Sequence, residues 1–407
     1  MIFDVIILGG GASGLLAATE LSGRGRRVAL LEAQSRVGRK LLSTGNGRCN
    51  LTNRRAKPSD YHGARQAVQN ALKTYPPKRV EEVFDQLGVP CIADDEGRVY
   101  PMSRQAASVL DALRLACDER GVTTLTEFEV VTLTRQNVFT ATAKDGRTAS
   151  GRCALVCTGG LAAPKLGASG TGYALLKSLG HAINPRFPAI AALTTPPEPV
   201  RGLKGIRAEG TLALIVDGEI IREEAGEALF SENGVSGIAA MQLARGVNEA
   251  LRSNKRCALR LNFCPFPVDL SRRAANLPKR GMEDFLSGIV PKRLGQTLVK
   301  AAGIELNRPA GSLTAAELQR LRTALTGWII PVTGTQGFDQ AQVTAGGASL
   351  KDFDVRTLRS LRVPGLFAAG EVLDVDGDCG GFNLQWAWSS AMLAAEGIDT
   401  CLLMEGN

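Results

Sequence analysis

A glycine-rich turn near the start of the chain has the residue types and spacing needed to hold a diphosphate. Gly9, Gly11 and Gly14 satisfy the pattern GxGxxG, directly after an apolar run from Asp4 to Leu8. Gly9 allows a tight turn, Gly11 lets a diphosphate approach the backbone, and Gly14 lets a helix pack closely on a strand. The free N–H groups at the start of that helix would point toward the phosphates.

A carboxylate completes this pattern at Glu32, which directly follows a second apolar run from Val28 to Leu31. At the end of such a strand a carboxylate can accept hydrogen bonds from the hydroxyls of a ribose. A lone GxGxxG is weak evidence, but strand, turn, helix, strand and acid occur here in the order of a Rossmann-type domain. That order predicts a dinucleotide cofactor without separating FAD from NAD.

Three further segments favour a flavin, and the first is Arg36 to Asn53. This segment carries Arg39, Lys40 and Arg48 beside a glycine turn at Gly45–Gly47. Positive charge and exposed backbone donors could wrap a diphosphate and a ribityl chain, whereas an NAD-binding domain would more often continue into a helix. A solvated loop is the alternative interpretation of the arginines.

The other two segments are short buried strands that end in glycine. Ala154 to Gly160 ends in Thr158-Gly159-Gly160, and Leu366 to Ala369 ends at Gly370-Glu371. Ligands gather at the carboxyl ends of strands in an open α/β sheet. A helix predicted from about Leu384 to Glu396 follows Gly380-Gly381-Phe382-Asn383, and its first N–H groups could face the flavin pyrimidine edge. A plain helix cap is the alternative there.

These segments require both ends of the chain to share one cofactor. We therefore predict an α/β fold with a discontinuous FAD-binding domain, residues 1–190 and 345–407, and an insert at residues 191–344. Within the insert, Asp217-Gly218 between two apolar runs predicts a β-hairpin. Cys257 to Phe263 is typical of a strand, and helical spacing recurs over residues 237–247, 291–303 and 314–326.

Composition limits the other classes of site. Nine scattered cysteines without a CxxC pair argue against disulfides and zinc, and His62 and His181 are the only histidines, so no metal is expected. No apolar run approaches the roughly 20 residues that span a bilayer, and the N-terminus lacks a basic signal region, so we predict a cytoplasmic chain. The formal charge of +8 permits RNA binding, best at residues 252–260 and 272–280, although a solvated surface is the plainer interpretation.

With these segments in view, the chain resembles the flavoprotein family described as aminoacetone oxidase family FAD-binding enzymes or NAD(P)/FAD-dependent oxidoreductases. That family includes bile-acid-reductase-like flavoproteins and a bacterial ribosomal-RNA dihydrouridine synthase. The matching stretches, which spread over nearly the whole chain, are Gly38–Asn53, Gly97–Ser103, Gly170–Tyr173, Gly226–Gly237, Val332–Gly347 and Ala369–Ser390.

The resemblance implies a glutathione-reductase-like FAD domain split by a β-rich insert with a small helical element. It also implies FAD contacts at Gly11, Ser13, Gly14, Glu32, Arg39, Lys40, Asn46, Gly47, Gly159, Gly370, Glu371, Gly381 and Asn383. The further cofactor contacts that we predict are Gly9, Arg48, Val131, Thr158 and Phe382.

The reaction implied by the resemblance is NAD(P)H-driven reduction of a C=C or similar unsaturated bond in a small molecule. Such a reduction needs a proton donor, for which Cys49, Tyr100, Ser103, Cys379 and Tyr173 are candidates, with structural thiols, packing or capping as the alternatives. No catalytic residue is assigned.

No second GxGxxG follows a convincing strand, so NAD(P)H would bind transiently in the substrate cleft. The other functions left open are an rRNA uridine reductase, a flavin amine oxidase and a flavin-binding protein without turnover. The substrate and the oligomeric state stay open as well.

Overall fold

The computed structural model describes residues 1–264 and 266–405. The chain divides into two compact units, one comprising residues 1–187 together with the chain from residue 343 onward, the other residues 188–342. The domain boundaries that we predict from the sequence, at 190/191 and 344/345, refer to parts that fold independently. They stay a prediction.

The strands of the described chain are β1 (Ile2–Leu8), β2 (Val28–Leu31), β3 (Thr52–Asn53), β4 (Tyr61–Gly63), β5 (Cys91–Ala93), β6 (Arg98–Pro101), β7 (Thr123–Leu125), β8 (Val130–Arg135), β9 (Phe139–Ala143), β10 (Thr148–Val156), β11 (Phe187–Ala189), β12 (Leu193–Thr194), β13 (Arg207–Val216), β14 (Glu219–Phe230), β15 (Gly234–Ser236), β16 (Cys257–Asn262), β17 (Trp328–Val332), β18 (Gly334–Thr335), β19 (Val343–Ala345), β20 (Leu366–Ala368) and β21 (Val375–Gly377).

The α-helices over the same residues are α1 (Ala12–Gly23), α2 (Arg39–Ser43), α3 (Arg65–Thr74), α4 (Pro77–Gln86), α5 (Ala106–Glu119), α6 (Thr171–Ser178), α7 (Pro197–Val200), α8 (Ile238–Gln242), α9 (Ala244–Arg252), α10 (Leu270–Asn276), α11 (Lys292–Ala301), α12 (Ala315–Gly327) and α13 (Phe382–Glu405). Within the described residues, no helix combines the length and the apolar character needed to cross a membrane.

The first unit is built on a sheet with the strand order β7-β2-β1-β10-β9-β8, and β20 pairs with the carboxyl half of β10. The strands β1, β2, β7, β10 and β20 run parallel, whereas β9 and β8 are antiparallel additions. Val5 to Leu8 and Val28 to Leu31 are fully buried, as expected for parallel strands covered on both faces. This α/β architecture confirms the predicted Rossmann-type fold class.

Parallel pairing brings the ends of four strands to one edge of this sheet. The Gly9 N–H donates to the Leu31 carbonyl at 2.8 Å, and the Cys157 N–H donates to the Leu8 carbonyl at 2.8 Å. The Ala369 N–H donates to the Val156 carbonyl at 3.0 Å. The segments that follow β1, β2, β10 and β20, which contain most of the predicted cofactor residues, therefore start from a common edge.

The second unit carries an antiparallel sheet with the order β17-β16-β13-β14-β15-β12-β18. Asp217 (φ 50°) and Gly218 (φ 93°) connect β13 to β14, which confirms the predicted hairpin. The helices α10, α11 and α12 supply the helical element. The helix predicted over residues 237–247 is divided into two consecutive helices, α8 and α9, which meet at Leu243.

One local expectation differs from the structure. The segment from Arg36 to Asn53 contains the short helix α2 in place of a continuous loop. Gly38 lies in the left-handed region (φ 74°), which turns the chain into α2, and Leu41 is buried in the core of this unit. Burial of one leucine thus stabilises a helical turn that its charged neighbours conceal in the sequence.

Candidate dinucleotide site

The three glycines of the turn after β1 have two different reasons to lack a side chain. A Cβ on Gly9 (φ 105°) would lie 2.5 Å from the Cys157 carbonyl oxygen, and one on Gly14 would lie 1.9 Å from the Gly9 carbonyl oxygen. A Cβ on Gly11 would meet no protein atom within 4 Å. Gly9 and Gly14 are therefore required by packing of the chain, whereas Gly11 borders open space.

The start of α1 leaves its backbone donors available to an anion. Gly11 is the N-cap residue, no side chain caps the helix, and its first turn contains no acidic residue. The first N–H groups of a helix have no partner within the helix, and the helix dipole adds partial positive charge there. Open space beside Gly11 and uncapped donors together fit the diphosphate of a dinucleotide.

Glu32 lies directly after β2 and faces this turn. Its Oε2 accepts from the Gly10 N–H and its Oε1 accepts from the Gln34 N–H, both at 2.8 Å. Burial raises the pKa of the Glu32 carboxyl, although these backbone donors oppose the shift. Each carboxylate oxygen has a further lone pair, so Glu32 can still accept a bond from a ribose hydroxyl.

A polar network joins the distant parts of the chain at this edge. Lys40 Nζ lies 2.7 Å from Glu371 Oε2, while the Thr344 N–H donates to Glu371 Oε1 at 2.9 Å. The Thr344 hydroxyl in turn accepts from the N–H groups of Leu161 and Ala162, at 2.7 and 2.9 Å. Residues that the sequence separates by more than three hundred positions are thereby held in one arrangement.

The segments after β10 and β20 differ in the room that they leave for a ligand. Gly159 (φ 71°) has open space where a Cβ would stand. The buried Thr158 hydroxyl, which has no hydrogen-bond partner within the described residues, packs instead against the start of α6, where a Cβ on Gly172 would lie 1.9 Å from it. Gly370 packs so closely on α1 that a Cβ would lie 2.3 Å from the Ser13 hydroxyl. Of these residues, Gly159 is therefore the one that borders space for a ligand.

The turn before α13 is fixed by a side chain from the helix itself. Asn383 accepts from the Gly377 N–H and donates to the Gly377 carbonyl oxygen, both at 2.8 Å. Gly381 (φ 100°) passes so close to β3 that a Cβ would lie 2.5 Å from the Thr52 carbonyl oxygen. The Phe382 ring packs edge-on against Tyr61 at 6.0 Å. Asn383 therefore shapes the turn, and the contacts predicted here would come from backbone N–H groups.

The remaining predicted cofactor residues are arranged less tightly. Arg39 donates to the Gln34 side chain and to the Lys165 carbonyl oxygen. Asn46 and Gly47 form a left-handed turn on the surface, with φ of 54° and 81°. Val131 lies on β8 and is 46% exposed. The Arg48 guanidinium lies over the Tyr100 ring.

The proton-donor candidates occupy unequal environments. Cys49 is fully buried, and burial raises the pKa of its thiol to about 12. The Ser103 hydroxyl is exposed and bonds Ser108 at 2.8 Å near the start of α5. Tyr173 is buried and its hydroxyl lies 3.5 Å from the Glu371 carbonyl oxygen. Cys379 is half-buried immediately before the turn into α13, and Tyr100 is buried beneath two arginines.

Sequence reasoning missed the pair His62 and Asp378. His62 Nε2 lies 3.0 Å from Asp378 Oδ1, and β4 pairs with β21 so that His62 stands opposite Asp376. Beside it, the buried Tyr61 hydroxyl has no hydrogen-bond partner within the described residues. The available signal was the sequence DVDGDCGG at residues 374–381, which places Asp378 just before the predicted flavin turn.

Comparison with known proteins assigns nearly the full length of the chain to one family. Residues 3–397 match the family described as HI0933-like protein Rossmann domain. A 3-dehydro-bile acid delta(4,6)-reductase of Clostridium scindens is 36% identical over 397 residues, covering 95% of this chain and 97% of that protein. A ribosomal RNA dihydrouridine synthase of Escherichia coli is 29% identical, covering 97% and 98% respectively.

A solved structure shares the fold at low identity. The 3-ketosteroid delta1-dehydrogenase of Sterolibacterium denitrificans superposes with a TM-score of 0.53 at 14% identity, covering 98% of this chain and 99% of that one. Together with the reductase relative, these findings make the chain an enzyme, an oxidoreductase of the flavoprotein type. The predicted resemblance is confirmed, and the chain belongs to the HI0933-like protein Rossmann domain family.

Proposed function

We propose that this enzyme binds FAD and uses NAD(P)H to reduce a conjugated C=C bond in a small organic substrate. The reductase relative, 36% identical along the whole chain, supports this type of reaction. Bound FAD would supply the hydride chemistry between the nicotinamide and the substrate, and the protein would supply the proton that completes the reduction.

The observation that carries the proposal is the open space beside Gly11 at the uncapped start of α1. Two other glycines of the same turn are enforced by contact with the chain itself, but nothing in the described protein requires Gly11 to lack a side chain. The FAD diphosphate fits this place, and the Glu32 carboxylate fits the ribose.

The chain's own part in the chemistry is to orient and to supply a proton. We assign the role of proton donor to His62. Its Nε2 lies 3.0 Å from Oδ1 of Asp378, a residue that comes immediately before the turn into α13. A carboxylate beside a histidine fixes the orientation of the ring, and an imidazole can donate a proton as a general acid. The Lys40–Glu371 pair would hold a cation close to the cofactor, where negative charge develops on reduction.

Spectroscopy with purified protein tests the cofactor and the donor. We expect a flavin absorption band, bleached anaerobically by NADH or NADPH and restored by an α,β-unsaturated ketone with one saturated product per nicotinamide oxidised. A chain that takes up no FAD would overturn the proposal at its root. If dithionite bleaches the flavin but neither NADH nor NADPH does, FAD binding would stand and NAD(P)H would be refuted as the electron donor.

A second candidate function is reduction of uracil in ribosomal RNA. It is supported by the relative of that name in Escherichia coli, 29% identical over almost the full length of both chains. The stretch from Arg252 to Arg280 also carries eight basic residues against the single acid Asp269. Retention on RNA that falls steeply with added salt, together with dihydrouridine formed in ribosomal RNA, would favour this reaction over a small-molecule substrate.

A further inference from the structure

Two arginines without carboxylate partners converge on one tyrosine beside the predicted flavin loop. The guanidinium carbon of Arg48 lies 5.8 Å from the centre of the Tyr100 ring, and that of Arg104 lies 6.0 Å from it. Because both guanidinium carbons are measured from the same ring centre, the distance between them is at most the sum of these two distances. Within the described residues, neither guanidinium has a hydrogen bond or an ion pair.

Acidic residues are present in the surroundings and pair with neighbouring arginines. Arg54, from the same part of the chain, bonds Glu81 at 2.7 Å, and Arg98, two residues before Tyr100, bonds Asp94 at 2.8 Å. Arginine side chains here find carboxylates when their geometry allows it. Both side chains are exposed, so a dissolved anion has access to two guanidinium groups that no protein carboxylate neutralises.

The tyrosine over which both guanidinium groups lie is held in place by its strand. Tyr100 is 9% exposed and lies on β6, which pairs with β5 on one side and with β3 on the other. Arg104 adopts a left-handed backbone (φ 52°), closed by a bond from its N–H to the Pro101 carbonyl oxygen at 2.8 Å. A side chain with a Cβ adopts this conformation at a cost, and such strain is concentrated at binding sites.

The pair also lies within reach of the predicted cofactor. Arg48 directly follows the turn with Asn46 and Gly47, and four residues later Thr52 lies against Gly381 at the turn into α13. Four residues span at most about 14 Å of extended chain. One end of a molecule held at Arg48 could therefore lie near the reacting end of the flavin.

We propose that Arg48 and Arg104 bind an oxyanion group of the substrate, a carboxylate or a phosphate, above the Tyr100 ring. The planar guanidinium presents paired donors that match the two oxygens of such a group. This inference deepens the proposed function, on which it rests for calling the ligand a substrate. It also moves Arg48 from the cofactor contacts predicted from the sequence to the recognition of substrate.

The test compares an acid with its uncharged ester on the FAD-loaded enzyme. The probes are a 3-oxo-Δ4 steroid carboxylic acid and its methyl ester, titrated calorimetrically into the wild type, R48Q, R104Q and the double variant. The matched control is R135Q, because Arg135 also lies over an aromatic ring, 5.6 Å from the centre of Phe139, at a distant strand. FAD content and bleaching of the flavin by NAD(P)H are recorded for every variant.

We expect the wild type and R135Q to bind the acid at least about tenfold more tightly than the ester, as charge-assisted hydrogen bonds imply. In R48Q and R104Q this preference should fall to about threefold or less, with FAD content unchanged. Equal binding of acid and ester by the wild type would overturn the inference while leaving flavin reduction intact. Loss of FAD from R48Q alone would also overturn it, because Arg48 would then hold the cofactor.

Two further arms identify the source of the anion. The same variants are titrated with NADP⁺ against NAD⁺, which differ by one phosphate, and with a short uridine-containing RNA. A loss confined to NADP⁺ or to the RNA would overturn the assignment to a small-molecule substrate and transfer the arginine pair to that ligand. Failure of the proposed function is separate, since it would appear as a flavin that no nicotinamide reduces.

Discussion

Replacing Gly11 by alanine should separate binding of the cofactor from stability of the fold. Gly11 has an extended backbone (φ −84°, ψ −166°), which any residue adopts, and a Cβ there would meet no protein atom within 4 Å. Alanine at such a position commonly stabilises by about 0.4–1 kcal/mol, because the unfolded chain loses freedom. We therefore expect the free energy of unfolding of the FAD-free G11A protein to stay equal or to rise.

The same methyl group should weaken FAD binding strongly. It would occupy the space in which the diphosphate meets the uncapped start of α1, and a lost hydrogen bond to a charged group costs about 1.5–3 kcal/mol. The dissociation constant of FAD should rise about 10- to 100-fold. Titration of the FAD-free protein with FAD, followed by quenching of flavin fluorescence, measures this change.

Gly14→Ala is the matched comparison in the same turn. Its Cβ would lie 1.9 Å from the Gly9 carbonyl oxygen, so the backbone must move. Overpacking of this kind costs about 1–3 kcal/mol of folding free energy, which urea unfolding of the FAD-free protein would detect. Wild-type FAD affinity in G11A, or a loss of stability in G11A as large as that in G14A, would refute the reasoning about this turn.

Three further variants or conditions probe the site and the fold. We expect E371Q to bind FAD more weakly and to release it on size exclusion, because loss of the ion pair loosens the network through which Glu371 holds Lys40 and Thr344 together at the site. In H62Q, NAD(P)H should still bleach the flavin at the wild-type rate, while reoxidation by substrate slows at least about 100-fold, as for loss of a general acid; equal rates would remove His62 from the reaction. Burial lowers the pKa of His181, which bonds Ser360 at 2.8 Å, so the unfolded state binds its proton more readily. The stability from this neutral imidazole is present above the unfolded pKa near 6.5 and is lost as the pH falls. In H181Q, the free energy of unfolding measured with urea should therefore change less between pH 5 and 7 than it does in the wild type.

Elements of both units could be predicted where the local sequence and the tertiary role agree. Val28 to Leu31 forms a strand with the predicted bounds, and the Asp217-Gly218 hairpin lies where the turn chemistry places it. In both cases the residues of a short segment are sufficient to favour the observed element. An apolar run belongs in a parallel sheet, and left-handed residues connect two twisted strands.

Contacts between distant segments could not be predicted in the same way. Nothing near Lys40 in the sequence indicates Glu371 as its partner, and nothing near His62 indicates Asp378. Such pairs depend on which strand ends meet, and in this unit the order of the parallel strands decides that. Once β10 lies between β1 and β20, the two ends of the chain meet whatever their separation along the sequence.

The number of histidines says little about the proposed proton donor, for a related reason. Two histidines are too few for a metal site, and the candidates from the sequence are Tyr100, Ser103, Tyr173 and the cysteines. Abundance bears on metal binding, which needs several ligands, but one well-oriented imidazole is enough for proton transfer. The proposal of His62 rests on its 3.0 Å contact with a carboxylate just before α13, and the pairing of β4 with β21 brings the two residues together.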